Sequence, residues 1–362
     1  MRHYNIPIFV PHQGCPFQCV YCDQKIIASQ QEAPTIQEVS ETIERHLSTI
    51  PPEGTEVEIA FFGGSFTAIE RGMQDAYLQA AAPYLKGRVS GIRLSTRPDC
   101  IDNEILEYLG RHGVTTIELG VQSLDDEVLE LSARGYQSVD VVQACWLIKA
   151  YGFKLGIQLM IGLPGDNRTR DLATTERAIA LAPDMVRIYP TVVIAGTWLD
   201  KAFRQSQYLP LELDEAVAIG KEMYLGFTAA AIPVIRMGLQ AGEELRREGS
   251  VVAGPFHPSF GELVRQAVFR DQAELLLDRY ISRRGGIREL KLWVNPRDLS
   301  LMTGQRRSNI DYLLLRYGLK SLPVAADEDM PRYAIGVSDA GEPQPVMALG
   351  LNDLLELIRN ES

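Results

Sequence analysis

The 362-residue chain predicts an α/β fold built on a parallel sheet. Three observations carry that expectation. Apolar runs of strand length recur at 6–10, 57–62, 91–95, 115–121, 154–161 and 185–189, and helical patterns lie near 36–50, 71–86, 102–111, 138–151 and 168–181. Strands separated by helices pair in parallel through right-handed crossovers. Nearly every run is apolar throughout instead of alternating, as a strand covered on both faces requires. Several runs also end in loops rich in small or polar residues, where parallel barrels carry their chemistry. Periodicity does not separate a barrel from a doubly wound sheet, and both stay open at this point.

Length and charge bound the rest. A chain this long exceeds one growing core, which predicts two domains, 1–240 and 241–362. The start, Met1-Arg2-His3-Tyr4-Asn5, has neither an apolar signal region nor a small-residue cleavage site, and no apolar stretch reaches membrane-spanning length. We therefore expect a cytoplasmic protein without membrane contact. A net charge of −11 argues against indiscriminate capture of nucleic acid. The charge is uneven, because residues 279–320 carry ten basic side chains against three acidic ones.

The first strand leads into His12-Gln13-Gly14-Cys15-Pro16-Phe17-Gln18-Cys19-Val20-Tyr21-Cys22, with three residues between the first two cysteines and two between the last pair. Thiolates this close on one loop suit an iron–sulfur cube. With only three ligands supplied, one iron keeps an open position, the hallmark of a metal site that does chemistry. A zinc site wants four ligands, and His12 would have to complete the set. Five cysteines in 362 residues are too sparse for a disulfide framework, and clustered thiols fit a reducing compartment. Cys100 and Cys145 read as small buried hydrophobes.

The CxxxCxxC run, with Tyr21 just before its last cysteine, resembles the signature of the radical S-adenosylmethionine (SAM) superfamily. That resemblance implies a partial (β/α)6 radical SAM barrel, open on one side, followed by a smaller α+β carboxyl-terminal domain. It also implies a 4Fe-4S cluster on Cys15, Cys19 and Cys22, with Tyr21 beside the cofactor. The open iron chelates the amino and carboxylate groups of S-adenosyl-L-methionine, and a flavodoxin- or ferredoxin-type electron donor drives its reductive cleavage. Hydrogen abstraction from a substrate follows.

Later loops agree with this placement. Phe62-Gly63-Gly64-Ser65 follows the second strand, where paired glycines let backbone approach a ligand, and it looks like the superfamily's glycine-rich motif for the methionine amino group. Gln122 and Gln158 interrupt apolar strand patterns and need partners if buried; a core amide network and ligand contact both satisfy that need. The segments Thr96-Arg97-Pro98-Asp99, Gly120-Val121-Gln122-Ser123, Ala133-Arg134-Gly135-Tyr136 and Gly162-Leu163-Pro164-Gly165 resemble the Elongator catalytic-subunit family. Shorter matches point to the oxygen-independent coproporphyrinogen oxidases. The resemblance places Gln122, Arg134 and Gln158 around the ribose and carboxylate of SAM. Ser95 departs from it, because those families commonly carry a glutamate there that contacts SAM. No stretch long enough for the Elongator-type acetyltransferase domain is present, so we expect no acetyl-CoA chemistry.

The carboxyl-terminal third is less legible. His257, within Gly254-Pro255-Phe256-His257-Pro258, is a candidate proton donor or acceptor near neutral pH; a surface turn explains the loop equally well. A strand at 290–294 and two short helices across 299–317, joined at 303–309, are compatible with a helix-turn-helix carrying the basic patch. Contact of residues 279–320 with RNA or tRNA is one reading, and a solvated basic face is the other. Residues 327–329 read as an acidic turn, and 347–358 as a terminal amphipathic helix. Two function classes follow: a radical SAM enzyme modifying RNA, a small molecule or a protein, and a nucleic-acid-binding adaptor with a structural metal cluster.

Overall fold

Strand and helix alternate through the first unit, and several helices start where the sequence supplies a cap. The structure is a computed structural model that describes residues 2–11, 15–23, 26–27, 32–240, 242–284 and 289–361. Helix Ile36–Thr49 opens on a capping box between Thr35 and Glu38, Asn103–Arg111 on the Asp102 carboxylate, and Arg168–Ala180 on Asn167. Helix Arg71–Ala81 stops short of the expected residue 86, because Pro83 begins a tighter 3-10 turn.

The chain divides into two compact units, Met1–Ala216 with Ala230–Pro258, and Val217–Ala229 with Ser259–Ser362. Residues 241–258 thus cluster with the first unit. Its strands are β1 (Arg2–Val10), β2 (Thr55–Gly63), β3 (Val89–Thr96), β4 (Val114–Gln122), β5 (Lys154–Ile161) and β6 (Met185–Pro190). A two-residue β7 (Val193–Ile194) pairs with β9 (Val251–Ala253), and β8 (Val234–Met237) adds a seventh strand to the main sheet. That sheet runs β1-β2-β3-β4-β5-β6-β8, parallel at every pairing, and curls into a half-barrel. The seventh strand was not expected: β8 is short, follows Pro233 and exposes Ile235, so it has no apolar run to announce it.

Period-2 alternation sorts the side chains of these strands. On β1, Ile6, Ile8 and Val10 are buried, while Asn5, Pro7 and Phe9 line an interior cavity. One step toward the amino-terminal ends, the interior is filled by charge. Arg93 on β3 donates to Glu58 on β2 at 3.0 Å and to Glu118 on β4 at 2.7 Å, and Arg187 on β6 meets Glu118 at 2.6 Å. His3 and Thr116 each reach Glu58 at 2.7 Å. Gly156 makes room for this layer, since a Cβ there would stand 2.7 Å from Glu118 Cγ.

A second acidic pair follows β5. Asp171, in the first turn of helix Arg168–Ala180, is 1% exposed, and one of its oxygens lacks a partner among the described residues. Burial and the neighbouring Asp166 carboxylate hold its carboxyl far above the usual aspartate range. A raised folded value stabilises the protein below the unfolded aspartate pKa, and that stability is lost as pH rises. Asp171→Asn is therefore expected to flatten the loss of stability between about pH 5 and pH 8. Thermal melts of variant and wild type that stay parallel across this range contradict the assignment.

The second unit sets helix Phe260–Arg284 against a mixed sheet of β10 (Leu290–Val294), β11 (Val324–Ala326), β12 (Ala334–Asp339) and β13 (Met347–Gly350), ordered β11-β10-β12-β13. Its core joins Leu276, Leu277, Leu292, Ile335 and Val337. Residues 347–350 are a strand and not the start of the terminal helix: they pair antiparallel with β12, and the helix begins at Leu351. Helices Leu299–Thr303 and Ser308–Tyr317 are joined through Arg306 and Arg307, both at positive φ. The second of them turns Ile310 and Leu313 into the core. Of the basic stretch, Arg284, Arg307 and Arg316 meet carboxylates, and Arg288 lies outside the described residues. No described helix is long and apolar enough to cross a membrane.

Candidate functional site

The carboxyl ends of the barrel strands surround a cavity of about 1010 Å³. Cys15, Cys19 and Cys22 all face it, on the loop that leaves β1. Backbone bonds pin that loop on both sides: Cys22 N–H donates to the Cys19 carbonyl at 3.1 Å, Val20 N–H to Ser132 at 3.3 Å, and Leu199 N–H to Val20 at 2.8 Å. Phe17 lies over Gly135, where a Cβ would come within 2.6 Å of the ring. Among the described residues no three His, Cys, Asp or Glu side chains gather tightly enough to hold one ion, and His12 lies outside the described residues. The three thiols share a cavity without meeting at a point.

Arg134 is the hub of this loop. Its Nη1 donates to Cys19 Sγ at 2.9 Å and to the Tyr21 hydroxyl at 3.0 Å; Nε and Nη2 donate to the Tyr136 hydroxyl, and Nη2 also to the Gly120 carbonyl. All five guanidinium hydrogens are thereby engaged. Burial pushes the Cys15 and Cys22 thiols up, with repulsion between the sulfurs adding to it. Such sulfurs ionise only beside strong positive charge.

The glycine loop after β2 closes another side. Gly63 sits at φ 116°, and a Cβ on it would come 2.7 Å from the Val10 carbonyl oxygen. Gly64 N–H donates to that carbonyl at 3.0 Å. Ser65 is buried, its hydroxyl 2.8 Å from Thr96. Gln122 reaches the cavity through an irregularity. The β4–β5 register slips between Gly120 and Gln122, and Gln122 takes φ 67°, a strained value for its residue type. Its buried Oε1 has no partner among the described residues. Gln158 Nε2 donates to Ser95 at 3.3 Å and to Glu118 at 3.2 Å. Where the resemblance expects a glutamate at position 95, the adjacent strand brings the Glu118 carboxylate to the same amide, already held by Arg93 and Arg187.

The structure therefore brings Tyr21, Gly63, Gly64, Ser65, Ser95, Gln122, Arg134 and Gln158 to one wall system with the cysteines. It does not bring His257, a half-buried residue that is absent from the cavity lining. Arg97, Arg187, Tyr189 and Arg236 line the cavity without having been singled out from the sequence. Arg97 is buried and clamps Asp99 at 2.9 and 3.0 Å while donating to the Arg134 carbonyl. The available signal was the two-residue spacing of Arg187 and Tyr189 within an apolar strand.

Comparison with known proteins fits this geometry. Residues 9–177 match the Radical SAM superfamily domain and residues 183–270 the Radical_SAM C-terminal domain. A tRNA uridine(34) acetyltransferase of Dehalococcoides mccartyi is 28% identical over 230 residues, 54% of this chain and 50% of the relative. Human Elongator complex protein 3 is 31% identical over 188 residues, 45% of this chain and 34% of that protein. The chain thus spans half or less of the length of these relatives. The solved structure of archaeal Methanocaldococcus infernus Elp3 with an amino-terminal deletion shares the fold, with a TM-score of 0.56 and 22% identity over 78% of this chain and 63% of that one. With consecutive domains of one superfamily matched across residues 9–270, the chain belongs to the radical SAM superfamily and is an enzyme of it.

Proposed function

We propose that this enzyme holds a 4Fe-4S cluster on Cys15, Cys19 and Cys22, cleaves SAM reductively with an electron from a flavodoxin- or ferredoxin-type donor, and abstracts hydrogen from an RNA substrate. One observation carries the reading: Cys15, Cys19 and Cys22 face one cavity together with the Gly63-Gly64 loop. Three thiolates from one loop suit a cube whose remaining iron keeps an open position. Burial raises the Cys15 and Cys22 thiols, Arg134 works against that rise, and a bound cationic cluster would lower them further. When bound, the cluster and SAM supply one-electron cleavage of the sulfonium and the radical that attacks substrate.

The chain's own residues hold, orient and shield. Arg134 fixes the Cys19 sulfur and the Tyr21 ring. Gly63 and Gly64 bring the loop after β2 to the cavity wall on the side assigned to the amino group, and Gln122 lines the wall assigned to the ribose. Phe9, Phe62, Met160 and Val192 add apolar surface to the cavity wall, the kind of lining that shields a radical from water. The RNA reading rests on relatives named as tRNA-modifying enzymes and on the basic stretch 279–320.

Anaerobic reconstitution with iron, sulfide and SAM, followed by reduction, tests both parts. We expect 5′-deoxyadenosine to form, and its yield to rise when bulk tRNA is added. A cluster that forms yet never cleaves SAM points to a structural role for the metal, and a yield indifferent to tRNA removes the RNA substrate.

A further inference from the structure

In a chain of net charge −11, four arginines and no acidic side chain face the cavity among its described residues. Three of the four are answered by the protein. Arg97 is clamped by Asp99, Arg187 by Glu118, and Arg134 by tyrosine hydroxyls, a carbonyl and Cys19 Sγ. Arg236 is not. It is half-buried on β8, forms no ion pair with any described carboxylate, and makes one long bond from Nε to the Gly238 carbonyl at 3.4 Å. A guanidinium facing a partly desolvated cavity without counter-charge is costly unless a ligand supplies that charge.

Its neighbours are suited to the same task. Arg236 pairs in register with Arg187 on β6, which puts both side chains on the cavity face of adjacent strands. Tyr189, two residues beyond Arg187, shares that face. Both oxygens of Glu118, the interior carboxylate paired with Arg187, are already engaged by Arg93, Arg187 and Gln158, so it is not available to Arg236.

We propose that Arg236, flanked by Tyr189 and Arg187, binds an oxyanion of the substrate, a phosphate or a carboxylate, through the fork of its guanidinium. Planar two-point recognition of such groups is what arginine does better than lysine. The assignment to substrate, and not to SAM, rests on the radical SAM reading. In that reading the SAM carboxylate lies at the cysteine loop after β1, whereas β8 is the opposite edge strand of the sheet. At about 1010 Å³ the cavity also stands at the top of the range of roughly 300–1,000 Å³ for single-ligand pockets, which leaves room for a second occupant.

The test is calorimetric titration of the full chain, with cluster and SAM in place, using inorganic phosphate, uridine 5′-monophosphate, uridine and malonate as probes. We expect at least one oxyanion probe to bind, and Arg236→Gln to weaken it by about tenfold or more, with Arg236→Lys intermediate because a point charge replaces the fork. Preference for uridine 5′-monophosphate over uridine identifies a phosphate-bearing substrate, and preference for malonate a carboxylate. Equal binding by wild type and Arg236→Gln, or no oxyanion binding by wild type, overturns the proposal. Should Arg236→Gln fail to melt cooperatively, Arg236→Lys decides: undiminished affinity counts against the fork and several-fold loss for it. Measuring 5′-deoxyadenosine on the wild-type preparation separates the two readings, since its absence sinks the radical chemistry whatever the titrations show.

Discussion

Cys19→Ala is expected to give a folded protein that retains little iron and forms 5′-deoxyadenosine more than about 100-fold more slowly than wild type, since second-shell changes alone cost 10–100-fold in metal affinity or activity. Cys19 is the most buried of the three loop cysteines at 8% exposure, and its Sγ faces Arg134 Nη1. Removing one sulfur leaves too few ligands on one loop for a cube. The fold survives because the bonds that pin the loop come from backbone atoms of Val20, Cys22 and Leu199, which the substitution leaves in place. Cys145→Ala is the matching control. Cys145 is 1% exposed inside helix Ser138–Ala150, and burial alone pushes its thiol up, to about 12. Visible absorbance and iron content read both variants. Iron retained in Cys19→Ala, or lost equally in Cys145→Ala, would falsify the assignment of the cluster to this loop.

Arg93→Met is expected to destabilise the first unit by about 3–5 kcal/mol, the range for removing one partner of a buried ion pair. Arg93 joins two buried carboxylates on the strands either side of it, and its loss leaves Glu58 to His3 and threonine hydroxyls, and Glu118 to Arg187 and Gln158. Methionine fills the volume without replacing the charge. The pH dependence has a definite sign. Burial works to raise Glu58 and Glu118, but hydrogen bonds and arginine charge overcome it and hold both carboxyls below the usual glutamate range. Their contribution is therefore complete above the unfolded pKa, about 4.3, and is lost as pH falls below it. In Arg93→Met the orphaned carboxylates take up protons more readily, so the deficit against wild type narrows on acidification. Denaturant midpoints measured at neutral and acid pH check this. A neutral-pH loss below about 1 kcal/mol, the level of a surface pair, refutes the account.

Much of this architecture was legible because burial on both faces writes itself as unbroken apolar runs. The strands at 154–161 and 290–294 were read to the residue, and β1 was shortened only because Arg2, His3, Tyr4 and Asn5 pair through backbone without apolar side chains. β8 escaped for the opposite reason: four residues after a proline, none of them buried, leave no run. At the site, spacing along one loop was informative, as for the cysteines, and so was doubled glycine. What depends on register between strands was legible only in part: Gln122 stands out as a polar break in an apolar run, but its slipped pairing and positive φ do not, and Arg187 meets Arg236 only because β6 and β8 are neighbours. His257 lies outside the cavity lining, and its sequence could not place it: a histidine among glycine and prolines marks a turn as readily as an active site, and nothing local says where that turn points.

The layer of paired arginines and glutamates fills the interior below the cavity, so one end of the half-barrel is occupied by the protein's own charge and the room for a guest lies toward the carboxyl ends of the strands.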